Sequence, residues 1–309
     1  MLISCIIPAK DREDPKLKDL IASIQSQDFP KKQIEILIIT EGDSESAKSI
    51  GIRKSTGKIL CMLCADNLIL SKSLFSDVKR LFDKYPNLTG VYSSHYSYSK
   101  TDNSLNRYFS LMGVNDPVPF YLGKADRKSH LHKDESVIFD IVQFKEKIPS
   151  LGDNCFFVRS ELFKMTHLDH YYPMDACEDL RRLGEYVYAR LYHDIVWHRT
   201  SDSLINFLKK RYRYAKDLYS NRTDRRWKML DTRKDYWKLA GFILATLTVV
   251  QPLSISIRGY RYTRDCAWFW HWPVCLGFVI TYGILACRNL LKFRSLFQLS
   301  EEAKVLKPV

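Results

Sequence analysis

The chain lacks paired cysteines of the zinc-binding kind. Its 309 residues hold eight cysteines, and only Cys61 and Cys64 stand close together, in an apolar stretch with no second pair nearby. That argues against a zinc ribbon and against a disulfide framework, so reduced, mostly buried thiols in a cytosolic compartment are expected. No secretory leader is expected, because Met1 runs straight into LISCIIP, which reads as a strand. Acid is in short supply. There are 48 Lys and Arg against 35 Asp and Glu, a formal net charge of +13. Such a surplus favours an anionic partner, whether nucleic acid, an acidic membrane surface or a phosphorylated substrate.

What is present is alternation. LISCIIP (2–8), IEILIIT (34–40) and ILCML (59–63) read as apolar strands, and 88–92 as a fourth. Helical patterns stand between them. Residues 15–27 put Leu17, Leu20, Ile21 and Ile24 on one face behind Pro15; further helices are predicted at about 46–54 and about 71–85. Strand and helix in turn predict an α/β unit with a mostly parallel sheet and helices on both faces. From 93 to about 150 the periodicity fades, and a long irregular, functional stretch is expected. Regular structure returns at CFFV (155–158). A helix is predicted over about 176–183, ended by Gly184, with Asp175 and Glu178 at capping-box spacing. A strand at 186–191 and a last one at 195–198 close the unit at His198.

The character then changes. Residues 199–238 carry 13 Lys and Arg against 5 Asp and Glu. Leu204, Phe207, Leu208 and Tyr212 form an apolar stripe beside Lys209, Lys210, Arg211 and Arg213. This is a basic amphipathic helix, suited to an anionic bilayer surface or else simply solvated. Two uncharged runs follow, 239–257 and 267–287, each long enough for a transmembrane helix. Trp268, Trp270 and Trp272 suit interface anchors in the second; Gln251 and Pro252 interrupt the first. Basic residues before the first run and after the second (Arg288, Lys292, Arg294) predict cytoplasmic ends for a two-span hairpin. Arg258, Arg261 and Arg264 between them favour a shallow first segment instead. The expected division is 1–200 for the α/β unit, 201–238 for the basic juxtamembrane segment and 239–309 for the hairpin and basic tail.

One polar tip stands out. Asp66 and Asn67 follow a buried strand directly. A carboxylate there either caps the next turn or holds a divalent metal. In open α/β sheets ligands bind beyond the carboxyl ends of strands, and hard cations share oxygen ligands with substrate phosphates.

Over roughly residues 2–198 four pieces, in order, resemble the family-2 glycosyltransferases of the GT-A fold. SCIIPAKDRED is similar to the family's first strand and nucleotide-contacting loop, V-P-x-x-N. EILIITEGDSES is similar to its second strand and acidic turn, D-D-G-S-x-D. AKSIGIRKSTGKIL is similar to R-N-x-G-x-x-x-A-x-G, and LCADN stands in the place of D-x-D. The resemblance implies a GT-A, Rossmann-like fold that binds a nucleotide-diphosphate sugar, with a uridine diphosphate donor favoured. Contacts implied in the first loop are Pro8, Ala9 and Asp11; in the second turn, Glu41; in the next helix, Lys48. Cys64, Ala65 and Asp66 then approach the diphosphate, and Arg211 and Arg213 close over it or grip an acceptor phosphate. A divalent metal, Mn or Mg, is implied at Asp66 with help from His198. Asp153 and Asn154 correspond to the lining of the acceptor pocket. Inverting members place a carboxylate base at the start of a helix beyond the variable loop; Asp175 fits, and Asp179 is its rival.

The chain also departs from the pattern. Thr40 and Glu41 replace two aspartates. Lys48 replaces an arginine and offers no bidentate fork. Cys64 replaces the first acid of D-x-D, with Asn67 offering a carbonyl oxygen. The expectation is an inverting transferase at the cytoplasmic face of the cell membrane. It would use a lipid carrier or lipid-linked glycan as acceptor, in polysaccharide biosynthesis or glycoprotein assembly. The other expectation is a non-catalytic nucleotide-sugar-binding or scaffolding subunit of a membrane glycan complex. A nucleotidyltransferase needs a Gly-rich first loop with an arginine, which PAKDRED lacks. Nucleic acid is not expected, because the charge clusters beside apolar runs and not on a recognition module.

Overall fold

In the computed structural model, which describes residues 2–134, 136–169, 171–193, 195–220 and 225–305, with side chains up to 289 and without those of 217–220, strands β1 (Ile3–Pro8) and β3 (Ile59–Met62) lie together inside one sheet. Every residue of β3 is buried. Covered on both faces, such strands read as unbroken apolar runs. Between them run α1 (Pro15–Gln25), β2 (Ile34–Ile39) and α2 (Ser44–Lys54). Helix α2 starts earlier than expected because Asp43 accepts from Ser46 N–H at 2.8 Å and fixes the first turn. The short β4 (Asn67–Ile69), α3 (Leu74–Lys84) and β5 (Gly90–Ser93) follow.

The stretch expected to be irregular is not irregular throughout. It contains α4 (Ser104–Met112), α5 (Pro117–Leu122) and β6 (Phe139–Gln143). Asn103 and Asp116 cap the two helices, and Gly113 and Gly123, at φ 76° and 72°, end them. Seven of the nine residues of α4 are buried, the polar Asn106 and Ser110 among them. Then come β7 (Phe156–Arg159), α6 (Ser160–Lys164), α7 (Pro173–Arg182), β8 (Val187–Leu191) and β9 (Val196–His198).

The sheet has seven strands in the order β2-β1-β3-β7-β5-β8-β6. Five point the same way, but β7 runs antiparallel to both β3 and β5, and β6 antiparallel to β8. The expectation of a mostly parallel sheet therefore holds for strand direction and not for pairing. A separate two-stranded ribbon joins β4 to β9 antiparallel, with Asn67 opposite His198. Helices α1 and α3 pack Leu17, Leu20, Ile24, Phe75 and Val78 on one face of the sheet; Ala176, Cys177 and Leu180 of α7 cover the other.

Beyond β9 come α8 (Leu204–Ser220), α9 (Arg233–Thr248), α10 (Val250–Thr263), a short 3-10 turn (Cys266–Trp270) and α11 (His271–Val305). The first uncharged run is not one helix: α9 and α10 meet at a bend of 77°. The cause is local. A proline ring clashes with the carbonyl four residues back, and for Pro252 that residue is Thr248, where α9 stops. Val249 takes φ 64° at the break. The second run lies within Cys266–Asn289, the one single helix among the described residues long and apolar enough to cross a membrane. The side chains of Lys292 and Arg294 lie outside the described residues.

Candidate active site

The carboxyl ends of β1, β3, β5 and β8 face the same way, and Asp66 stands in the turn just beyond β3. The turn Cys64–Asn67 is closed twice: Asn67 N–H donates to Cys64 O, and Cys64 N–H donates to Asn67 Oδ1, both at 2.9 Å. Asn67 Nδ2 also donates to Asn154 Oδ1 at 3.2 Å. The Asn67 oxygen expected to help a metal is thus committed to its own turn. Asp66 is left at the tip. Arg199 N–H donates to Asp66 O at 3.0 Å, continuing the β4–β9 ribbon, and this sets the Asp66 side chain against His198.

Asp66 Oδ1 lies 3.2 Å from His198 Nε2, and Lys210 Nζ of α8 lies 3.9 Å from Oδ2. Burial alone would push the Asp66 carboxyl up. The His198 imidazole, then Lys210 and Lys16, outweigh it and hold the group at about 2, so it is ionised at any working pH. Oδ1 is buried and receives no aligned hydrogen bond. The other side of His198 faces Asn115 Nδ2 at 3.1 Å, and its ring packs on Tyr96. Among the described residues no three His, Cys, Asp or Glu side chains converge into a metal cage. A hard cation that completes its shell with phosphate oxygens and water needs only one or two protein ligands. An ionised carboxylate with an orphaned oxygen beside an imidazole fits that requirement.

A second cluster sits next to the first. Lys48, 2% exposed, lies 2.7 Å from Asp153 Oδ2 and 3.4 Å from Glu45 Oε2. Burial would lower the Lys48 ammonium, but Asp153 and then Glu45 hold it well above its ordinary value, so it stays charged. Lys48 in turn holds the Asp153 carboxyl down against the effect of burial, while burial keeps Glu45 raised. The cation expected to meet a diphosphate is therefore held by two carboxylates inside the protein. Asp153 and Asn154 sit on a contorted turn: Gly152, Asn154 and Cys155 have φ of 117°, 56° and 67°. Arg127 secures it from behind, donating to Asn154 O and to Ser93 Oγ and stacking on Tyr96 at 4.4 Å. Strained turns of this kind persist where surrounding structure over-determines them.

Other expected contacts are placed differently. Ala9 N–H donates to Ile39 O at 3.0 Å, so Pro8 and Ala9 lead the chain past the end of β2. Asp11 accepts from Glu13 N–H at 2.9 Å. Glu41 is exposed, 4.0 Å from Lys54, the last residue of α2. Arg213 is exposed and its Nε reaches only Lys209 O at 3.5 Å, while Arg211 stacks on Phe207. Lys210, not singled out for the site from sequence, is the α8 cation that approaches Asp66. Its signal was there in the KKRYR run, but helix phase decides which of the four cations reaches Asp66, and Lys210 does so while 64% exposed.

The two candidate bases lie on α7, where the expected capping box does not form. Helix α7 starts at Pro173, with Tyr172 at its N-cap and no side-chain cap. Asp175 is the third helical residue and forms no capping box; Glu178 pairs instead with Arg181 and Arg182 at 2.7 and 3.1 Å. Asp175 is 1% exposed, 2.6 Å from Arg225 Nε, and accepts from Trp227 N–H at 2.8 Å. Asp179 lies 2.6 Å from Arg226 Nε. Each of the two carboxylates is engaged by an arginine of the 225–226 stretch.

No protein-family model matches the chain, and no curated protein matches it. Among solved structures it is similar to the mannosyltransferase PcManGT from Pyrobaculum calidifontis in complex with GDP-Man and Mn2+. The identity is 12% and the TM-score 0.48, over 90% of this chain and 86% of that one. It is also similar to residues 1–349 of S. aureus TarS in complex with UDP-GlcNAc, at 14% identity and a TM-score of 0.41, over 83% and 76%. A third similar structure is A197 from STIV, at 13% and 0.39, over 64% and 85%. The likeness is distant, and the site's own geometry has to carry the chemistry.

Proposed function

We propose that this chain is an inverting glycosyltransferase. Its donor is a nucleotide-diphosphate sugar, with uridine diphosphate favoured, and its acceptor a lipid carrier or lipid-linked glycan at the cytoplasmic face of a membrane. The observation that carries the reading is Asp66: an ionised carboxylate at the tip of a buried strand, one oxygen orphaned, facing His198 and Lys210. Asp66 and His198 would hold a Mn or Mg ion, whose chemistry is to neutralise a departing diphosphate. Lys210 and Lys16 add positive charge at the same spot. Lys48 and Arg127 fix the Asp153–Asn154 turn on which an acceptor would rest. Asp175 is the base we assign for an acceptor hydroxyl, with Asp179 its rival. Both are ion-paired here, so turnover requires residues 225–227 to lift from α7. The lipid-linked acceptor rests on basic α8 at the site and on the apolar surface of α9 to α11.

That same closure over α7 favours a second reading, a non-catalytic nucleotide-sugar-binding subunit of a membrane glycan complex. One experiment separates them. The full chain is assayed with manganese and UDP- or GDP-sugars for release of nucleoside diphosphate, and titrated calorimetrically with UDP. The transferase reading expects metal-dependent binding and turnover, both lowered at least tenfold in Asp66→Ala. Full activity in that variant removes Asp66 from the mechanism. Metal-independent binding with no turnover supports the second reading.

A further inference from the structure

We infer that α9 and α10 form a wedge that enters one leaflet of an anionic bilayer and returns, so that this pair does not cross it. The inference deepens the membrane part of the reading above and does not depend on the transfer chemistry, so the two can fail separately.

The apolar surface is concentrated at the break. Leu244, Leu247 and Val250 are 64%, 62% and 71% exposed, and Leu253 is exposed beside them. No charged side chain occurs from 239 to 257. Cations stand at the two far ends: Arg233, Lys234 and Lys238 where α9 begins, Arg258, Arg261 and Arg264 where α10 finishes. An apolar tip with basic rims suits acyl chains below and anionic headgroups around.

The dimensions fit one leaflet. At about 1.5 Å per residue the uncharged parts of α9 (239–248) and α10 (250–257) make arms of about 15 and 12 Å. A 77° bend leaves them open by about 100°, so the uncharged tip projects about 8 Å beyond its nearest cations, Lys238 and Arg258, and stays within one leaflet. Half of a hydrocarbon core about 30 Å thick is about 15 Å.

Both arm ends are tied to the same globular unit, which decides between a return and a crossing. At the start of α9, Asp235 lies 2.8 Å from Lys124 and 3.4 Å from Lys147, and Lys238 donates to Leu122 O at 2.8 Å. Just past α10, Asp265 lies 2.9 Å from Arg107 Nε and accepts from Tyr98 OH. A bent crossing would put these two anchor points on opposite sides of a bilayer. Helix α11 does not leave the unit either over its described side chains. His271 meets Tyr108 and Tyr121, Gly277 and Phe278 pack on Leu208 and Phe207, and Arg288 donates to Tyr212. Its outward Ile280 and Ile284, with Phe269 of the preceding 3-10 turn, extend the same apolar surface.

The test is cysteine labelling of the full chain in a Cys266→Ser/Cys287→Ser background. Lys234→Cys, Thr248→Cys and Arg261→Cys are probed with a membrane-impermeant maleimide. The protein is added from outside to sealed vesicles of phosphatidylglycerol and phosphatidylethanolamine. Positions 234 and 261 are expected to label from outside, and 248 to be shielded only when vesicles are present. Labelling of 234 and 261 from opposite sides overturns the wedge. So does equal labelling of 248 with and without vesicles, the result expected if a protein partner covers this surface instead. In the otherwise native chain, Leu247→Asp/Val250→Asp is expected to weaken vesicle binding at least tenfold with an unchanged thermal midpoint. Unchanged vesicle binding in that variant also overturns it.

Discussion

Arg225 Nε sits 2.6 Å from Asp175 Oδ2, with both side chains almost wholly enclosed. Trp227 N–H donates to the other carboxylate oxygen at 2.8 Å, and the Trp227 indole N–H reaches Ile148 O at 2.8 Å. Arg226 next door pairs with Asp179. One short stretch therefore closes both carboxylates of α7. An enclosed ion pair adds little net stability, yet removing one partner strands a charge and is costly. Arg225→Met is expected to lose about 3–5 kcal/mol of unfolding free energy in a urea titration. Arg225→Met/Asp175→Leu, which removes both charges, should recover most of that. A single-variant loss below about 1 kcal/mol would mean that water already reaches Asp175.

Lys48 offers a cleaner separation of structure from binding. Its ammonium is enclosed with Asp153 and Glu45 and is held charged by them. Lys48→Met leaves two neighbouring carboxylates without their cation and is expected to cost about 3 kcal/mol or more. Nucleotide affinity of the protein that remains folded should change less than threefold. A calorimetric loss of tenfold or more in affinity, with stability intact, would return Lys48 to the diphosphate.

How far the sequence could be read follows from which forces are local. The strand β3 that leads to Asp66 was legible because burial on both faces leaves an unbroken apolar run, and because a polar pair follows a few residues on. The break between α9 and α10 was legible in Gln251 and Pro252, since a proline acts on the carbonyl four residues back; the angle was not. Asp175 with Glu178 spelled a capping box, but Pro173 fits the first helical turn and starts α7 three residues sooner. The partners of Asp175 and Lys48 were out of reach. Arg225 stands 50 residues from Asp175 and Asp153 stands 105 from Lys48, and no periodicity connects them. The antiparallel entry of β7 between β3 and β5 was hidden for the same reason: strand direction is set by where the chain re-enters the sheet.

His95 gives the fold an acid-side weakness. It is 1% exposed, beside His130 and Tyr192, and neither ring nitrogen meets a well-aligned hydrogen-bond partner among the described residues. Burial first, then the positive groups around it, push it down to about 3. An unfolded histidine titrates near 6.5. Above that pH both states are neutral and nothing is lost. Between about 6.5 and 3 the unfolded chain binds a proton that the folded chain refuses, so stability should fall by about 1.4 kcal/mol per pH unit. Equilibrium unfolding at pH 7 and pH 5 checks this, with His95→Phe expected to flatten the difference by about 2 kcal/mol. An equal pH dependence in parent and variant would show that another group sets the slope.

Gly152 links the contorted turn to helix α7. Its φ of 117° is one that side chains rarely adopt, and an added Cβ would stand 2.8 Å from Pro173 Cβ and 2.9 Å from Pro173 O. Pro173 opens α7 and cannot retreat without moving the helix that carries Asp175. The next residue, Asp153, is the partner of Lys48. Gly152→Ala therefore strains the backbone and pushes on the helix at once, and is expected to cost at least about 2 kcal/mol. Thermal unfolding reads it as a drop of several degrees. A variant as stable as its parent would show that the turn relaxes around the new methyl, and that Gly152 does not hold Asp153 against Lys48.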